Sequence, residues 1–252
     1  MRDRSFYHRL FLLIVVSALP IFSGCVNDPF SLSGLDDDPY AAPEVGTLYT
    51  FDTYRLTPTG DQVPGILAID RVWVVANRDT LQDRPDVVVY LKETDYQVSL
   101  YQMLLSGDRQ FFAQDMRLPY GPEIAPQWLS YPFRTRENRS EVLFDSVYTF
   151  PNGRVKHFLV TRDVTWLGEE EKDVSGETLV TGKFGEQITM ILYEDDRPTF
   201  TQVLEKVLWY SPSVGYFVQT DSFLKVGEPE APISLESTRR VLVRYNEPHG
   251  VR

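Results

Sequence analysis

Apolar positions come in three textures along this chain. The first is a continuous run, Leu10–Leu19, well short of the ~20 apolar residues that span a bilayer. Arg2, Arg4 and Arg9 precede it, and the small residues Ser23 and Gly24 follow it directly before Cys25. A positive start, a short apolar centre and a small-residue exit make a secretory signal over residues 1–24. The second texture, residues 25–45, has no apolar period of either kind; Pro, Gly, Ser and Asp dominate, which predicts an extended tether. The third begins at Gly46, where short alternating or apolar runs are separated by turn residues, the pattern of antiparallel strands. Residues 46–252 are expected to form a single β domain.

Within that domain the strand signals are Thr47–Leu56, Ile66–Ala76 and Asp86–Leu91, the last apolar on both parities and therefore expected at the centre of a sheet. Residues 96–116 fit a hairpin, although Val98, Tyr101, Leu104 and Leu105 also suit a helix. Val142–Phe150 and Lys156–Leu167 flank Asn152-Gly153, a strong hairpin signal because both residues tolerate positive φ. An acidic turn is expected over Gly168–Ser175. In the long strand Glu177–Tyr193 the residues Val180, Phe184, Ile188, Met190 and Leu192 share one parity, with a bend expected at Gly182 or Gly185. After a turn at Asp195–Pro198 come Val203–Tyr210, Tyr216–Val226 and Thr238–Tyr245; residues 199–208 would also allow helix. About ten strands joined mainly by short turns predict an all-β fold. Its expected form is a meandering antiparallel sheet, either a curved open half-barrel or a β-sandwich.

One segment breaks the rhythm. Leu118–Arg139 holds Pro119, Pro122, Pro126 and Pro132 together with Tyr120, Trp128, Tyr131 and Phe133, so neither helix nor inner strand should run through it. So long an insertion is usually functional or disordered, and its aromatic content argues against plain disorder. Two readings follow: a loop that folds back to cap the core, or a lid or contact surface in which Tyr120, Trp128, Tyr131 and Phe133 meet an apolar ligand or a partner.

Charge narrows the partners. The chain carries −11, and without residues 1–24 Lys+Arg falls from 25 to 22 and Asp+Glu from 36 to 35, leaving −13. That argues against a nucleic-acid role and against an electrostatic grip on anionic headgroups. A run of like charges at Asp36, Asp37 and Asp38 lacks the alternating ligands and turn glycine of a calcium loop, and Glu169–Glu171 reads as solvated. Of the three histidines only His157 lies inside the expected domain, and with no second histidine or free cysteine a transition-metal site is not expected. No G-x-S-x-G elbow, P-loop or dinucleotide fingerprint occurs. We therefore expect no catalytic residues, no cofactor and no metal, and no enzyme.

Two resemblances add to this. Ser23-Gly24-Cys25 after the apolar run resembles the lipobox of bacterial lipoproteins. That resemblance implies a diacylglycerol on the Cys25 thiol, cleavage after Gly24 and acylation, commonly with palmitate, of the new N-terminus. Val26 in place of the Asp that retains some lipoproteins in the inner membrane implies an outer-membrane anchor in the cell envelope, the domain facing either the periplasm or the outside. Further on, Trp209-Tyr210-Ser211-Pro212-Ser213-Val214-Gly215-Tyr216-Phe217-Val218 looks like the C-terminal hairpin of a group of exported, uncharacterised bacterial β-proteins. Their architecture is related to the open half-barrels of lipoprotein-carrier proteins. Physically, Pro212 and Gly215 set a tight turn while Trp209, Tyr210, Tyr216 and Phe217 pack across its strands. Together these readings give a membrane-tethered envelope lipoprotein acting as a non-catalytic structural or interaction module within an envelope protein complex. The alternative is a carrier of a lipid or other apolar ligand.

Overall fold

The computed structural model describes residues 42–81, 84–93, 98–104, 109–113, 116–117, 121–133 and 135–246; Cys25 and Tyr120 lie outside them. Fourteen strands and no helix occur among the described residues: β1 Leu48–Leu56, β2 Gln62–Leu81, β3 Arg84–Glu93, β4 Val98–Leu104, β5 Arg109–Ala113, β6 Met116–Arg117, β7 Glu123–Ile124, β8 Gln127–Tyr131, β9 Arg139–Thr149, β10 Val155–Val174, β11 Glu177–Glu194, β12 Arg197–Ser211, β13 Tyr216–Gly227 and β14 Ile233–Asn246. Twelve form one antiparallel sheet in the order β8-β5-β4-β3-β2-β1-β14-β13-β12-β11-β10-β9, and β6 pairs with β7 alone. Both ambiguous segments are strand: 98–104 and 109–113 form a hairpin, and 197–211 is β12.

The sheet curls without closing. β8 lies at one edge of the order and β11 near the other, yet the Tyr131 and Phe184 ring centroids are 5.8 Å apart. Leu129 of β8 likewise joins Leu143, Val160, Ile188 and Met190 in one apolar cluster. Only a curved sheet whose inner face meets itself allows this, so the described domain is one continuous open sheet, a half-barrel, and not two separate sheets. Proline explains the position of β8: it is an edge strand bracketed by Pro126 and Pro132, where a missing N–H is tolerated.

Alternation sets the inner face strand by strand: Tyr49 and Phe51, Val72 and Val74, Val88 and Tyr90, then Phe184, Ile188 and Met190, all buried. Turns follow the residues that permit them. Gly153 alone takes positive φ (79°) in the β9–β10 turn, with Gly153 N–H donating to Phe150 O at 2.9 Å. Asp195 and Asp196 both adopt positive φ, 49° and 62°, the left-handed pair of a two-residue hairpin turn.

Three expectations need correction. The acidic segment Gly168–Ser175 is not a turn: β10 stays paired to β11 through Val174↔Glu177, and the turn is Ser175-Gly176. Alternation decides this, because Glu170 and Lys172 face one side and form an ion pair (2.7 Å), whereas Glu169 and Glu171 face the other. The irregularity expected near Gly182–Gly185 is carried by the partner strand: at Trp166–Gly168, opposite Phe184 and Lys183, Leu167 is an extra residue and Gly168 has φ 113°. Val180 shares the parity of Phe184 but is 56% exposed, because at this end of the ribbon the other face is the buried one, carrying Val174, Leu179 and Thr181.

Candidate functional site

The aromatic insertion ends inside the curl. Tyr131 (5% exposed) meets Phe111, Phe184 and Phe217 edge-on at 5.5–5.8 Å, and Phe133 (8% exposed) meets Trp166 and Tyr210 at 5.9 and 5.4 Å. Trp128, two residues before Ser130, is half-buried. A notch admits Phe133: a Cβ at Gly182 would lie 2.5 Å from Phe133 Cε2 and 2.8 Å from Trp166 Cζ3. Tyr131 and Phe133 thus fill the concave face as part of the core.

Beneath Tyr131 sits a buried polar network that the sequence did not disclose. Arg162 Nε donates to Glu186 Oε1 at 2.6 Å, Tyr131 Oη donates to the same oxygen at 2.9 Å, and Lys206 Nζ donates to Oε2 at 3.0 Å. Arg162 Nη1 donates to Ser130 O (3.0 Å) and Glu141 Oε1 (2.5 Å), and the guanidinium lies 4.7 Å from the Tyr131 ring centroid. Burial pushes the Glu186 carboxyl up, but the Lys206 and Arg162 charges outweigh it and hold it below the ordinary carboxylate range. Burial and the adjacent Glu186 push the Tyr131 hydroxyl well above its usual value. Burial opposes the Arg162 charge, and its partners more than restore it. Each charge is neutralised by its neighbours, so the network acts as a clasp fastening edge strand β8 to the inner face of β10 and β11. Only residue parity hinted at it: Arg162, Glu186 and Lys206 all occupy inward positions on apolar strands.

The hairpin carrying the second resemblance is the other fastening. Tyr49 Oη donates to Val214 O (2.8 Å) and Tyr90 Oη to Gly215 O (2.9 Å), linking β1 and β3 to the β12–β13 turn. Tyr216 lies between these two rings, with centroids at 5.3 Å from Tyr49 and 4.8 Å from Tyr90. Gly215 has φ 72°, and a Cβ there would come 3.0 Å from Pro43 Cδ. Tyr210 is buried against Phe133 and Phe217. Trp209 points to the opposite face, donating from Nε1 to Glu170 Oε2 (3.0 Å) with Lys172 Nζ 4.4 Å from its ring centroid. Hydrogen bonds from Lys172, Lys183 and Trp209 lower the Glu170 carboxyl to about 2. Pro212 lines a recess of about 460 Å³ with Ser213, Phe133, Glu169, Val180 and Gly182.

Other charged groups are also paired. Asp70, buried, lies 3.5 Å from Lys92 Nζ and 2.9 Å from Arg240 Nε, and Arg240 caps the Phe51 ring at 3.6 Å. His157 sits 2.6 Å from Asp145 and stacks on Tyr193. Among the described residues no group of three or more His, Cys, Asp or Glu is placed to hold a metal ion.

No protein-family model matches the chain, and no curated protein matches it. Among solved structures the chain is similar to a candidate lipoprotein from Parabacteroides distasonis, with 14% identity, 82% of this chain and 98% of that chain covered, and a TM-score of 0.47. It is also similar to a candidate exported protein with a YmcC-like fold from Bacteroides fragilis (11% identity, 82% and 98% covered, TM-score 0.41). The hypothetical lipoprotein YmcC from Escherichia coli is 10% identical, with 97% of each chain covered and a TM-score of 0.30.

Proposed function

We propose that this protein is an envelope lipoprotein, held by lipid on Cys25 and working as a non-catalytic structural or interaction module. The observation that carries the choice of module over carrier is the filling of the concave face. A carrier needs that face for its ligand. Here Tyr49, Tyr90, Phe184, Tyr216 and Phe217 occupy it, closed over by Tyr131 and Phe133. The chemistry-bearing side chains are spent in the same way: Glu186, Arg162, Lys206, Asp70 and Glu170 all neutralise one another or a neighbour. What such a domain offers is its exposed surface. The outer membrane is the expected anchor site, from Val26 following Cys25.

Intact mass spectrometry tests this reading on the full-length protein, extracted in mild detergent from its own membranes beside Cys25→Ala. The expected mass begins at Cys25 and carries the diacylglycerol and acyl additions, with no further lipid surviving native spray. A non-covalent lipid retained by the domain would support the carrier instead, and an unmodified Cys25 thiol would remove the tether.

A further inference from the structure

The recess at the end of the β10–β11 ribbon has a chemical character that selects its occupant. In the paired register Glu169 faces Gly182, Glu171 faces Val180 and Asp173 faces Thr178. Residues opposed in a ladder share a face, so Glu169 lines the cavity beside exposed Val180, and Glu171 and Asp173 continue the same exposed face of the ribbon outside it. Phe133 and Gly182 lie deeper, and Pro212 and Ser213 form the facing wall. Glu169 is bridged by Arg136 at 2.7 Å, an exposed pair easily exchanged for another cation. The lysines of this ribbon, Lys172 and Lys183, point to the opposite face, toward Glu170 and Trp209. The result is an apolar slot with an acidic rim.

We propose that this recess docks a basic protein segment, one large apolar side chain entering between Val180 and Pro212–Ser213 with a Lys or Arg beside it on the carboxylates. Charge complementarity makes the choice among occupants. The chain's own tether brings Asp36, Asp37 and Asp38, a second copy brings the same acidic rim and a net charge of −11, and anionic headgroups are repelled alike. This rests on the reading of the domain as an interaction module and names the surface and partner chemistry it uses.

The test measures fluorescence anisotropy of three labelled peptides, GKFKG, GEFEG and GKGKG, on the detergent-solubilised full chain at low ionic strength, where rim charges are not screened. GKFKG should bind about tenfold or more tightly than either control, and Val180→Ser or the pair Glu169→Gln with Glu171→Gln should remove about that factor. These side chains are exposed, so an unchanged thermal midpoint certifies the fold of each variant. A benzophenone version of GKFKG should label residues 169–182 or 212–213. Equal binding of GEFEG, insensitivity to both variants, or labelling elsewhere overturns the site. Benzophenone placed at position 180 or at exposed Leu67 in the cell separates the two readings. Envelope-protein crosslinks at 67 alone overturn the recess and keep the module, and lipid carried by the domain overturns the module as well.

Discussion

Removing the Arg162 side chain is the sharpest probe of the clasp. Arg162→Met keeps the volume roughly but strips Glu186 Oε1 of its 2.6 Å partner and frees the Ser130 carbonyl, while Lys206 stays on Oε2. Breaking a buried ion pair from one side costs about 3–5 kcal/mol because the remaining charge is stranded. With Lys206 still present the lower figure applies, about 3 kcal/mol, or a midpoint about 6–12 °C lower for a domain of this size. Glu141, partly exposed, rehydrates and adds little. The double variant Arg162→Met with Glu186→Leu removes both charges. Lys206, 26% exposed at its side chain, can then turn to solvent, while the Tyr131 hydroxyl loses an acceptor and the Ser130 carbonyl a donor. That variant should cost about 2 kcal/mol, less than the single change. Urea unfolding at pH 7, followed by intrinsic fluorescence, reads both. A single variant within about 1 kcal/mol of the parent, or a double variant costing as much as the single, would refute the clasp.

Other consequences can be checked with the same assay. Gly182→Ala should lose about 1–3 kcal/mol through overpacking against Phe133 and Trp166, and Phe133→Leu should relieve part of it; additive losses would contradict the notch. Tyr49→Phe and Tyr90→Phe should each cost about 1 kcal/mol, since each leaves a buried carbonyl of the β12–β13 turn without its donor; stability equal to the parent would show those bonds are idle. Glu170 is held near 2 when folded against an ordinary 4.5. A depressed carboxyl stabilises fully above the unfolded value, and that stabilisation is lost as pH falls through the folded one. The thermal midpoint of the parent should therefore fall more steeply between pH 4.5 and 2 than that of Glu170→Gln; parallel curves would dismiss the effect.

Much of this was legible because it is local. Period-two alternation, Asn152-Gly153, Asp195-Asp196 and the Pro212–Gly215 turn announce strands and turns within a few residues of themselves. Gly168–Ser175 misled because charge density mimics a turn, whereas alternating Glu170 and Lys172 against Glu169 and Glu171 is what a charged strand looks like. Long β10 thus continues where the composition suggests a stop. The Leu118–Arg139 insertion was visible as an exception, and its prolines correctly forbade an inner strand. Their spacing could not tell a lid from a core wall, since Tyr131 and Phe133 suit either.

By itself, then, the chain determined most of its strands and turns and its acidity, because dihedral preference, side-chain alternation and charge are properties of neighbours. Tertiary structure alone decided that the sheet curls, that Tyr131 and Phe133 face inward, and that Arg162, Glu186 and Lys206 converge beneath them. It also decided that Val180 and Glu169 share one recess with Pro212. In the clasp those meetings join residues 20 to 55 positions apart, and sheet curvature, which brings the two edges of the strand order together, is a sum over twelve strands that no local pattern encodes.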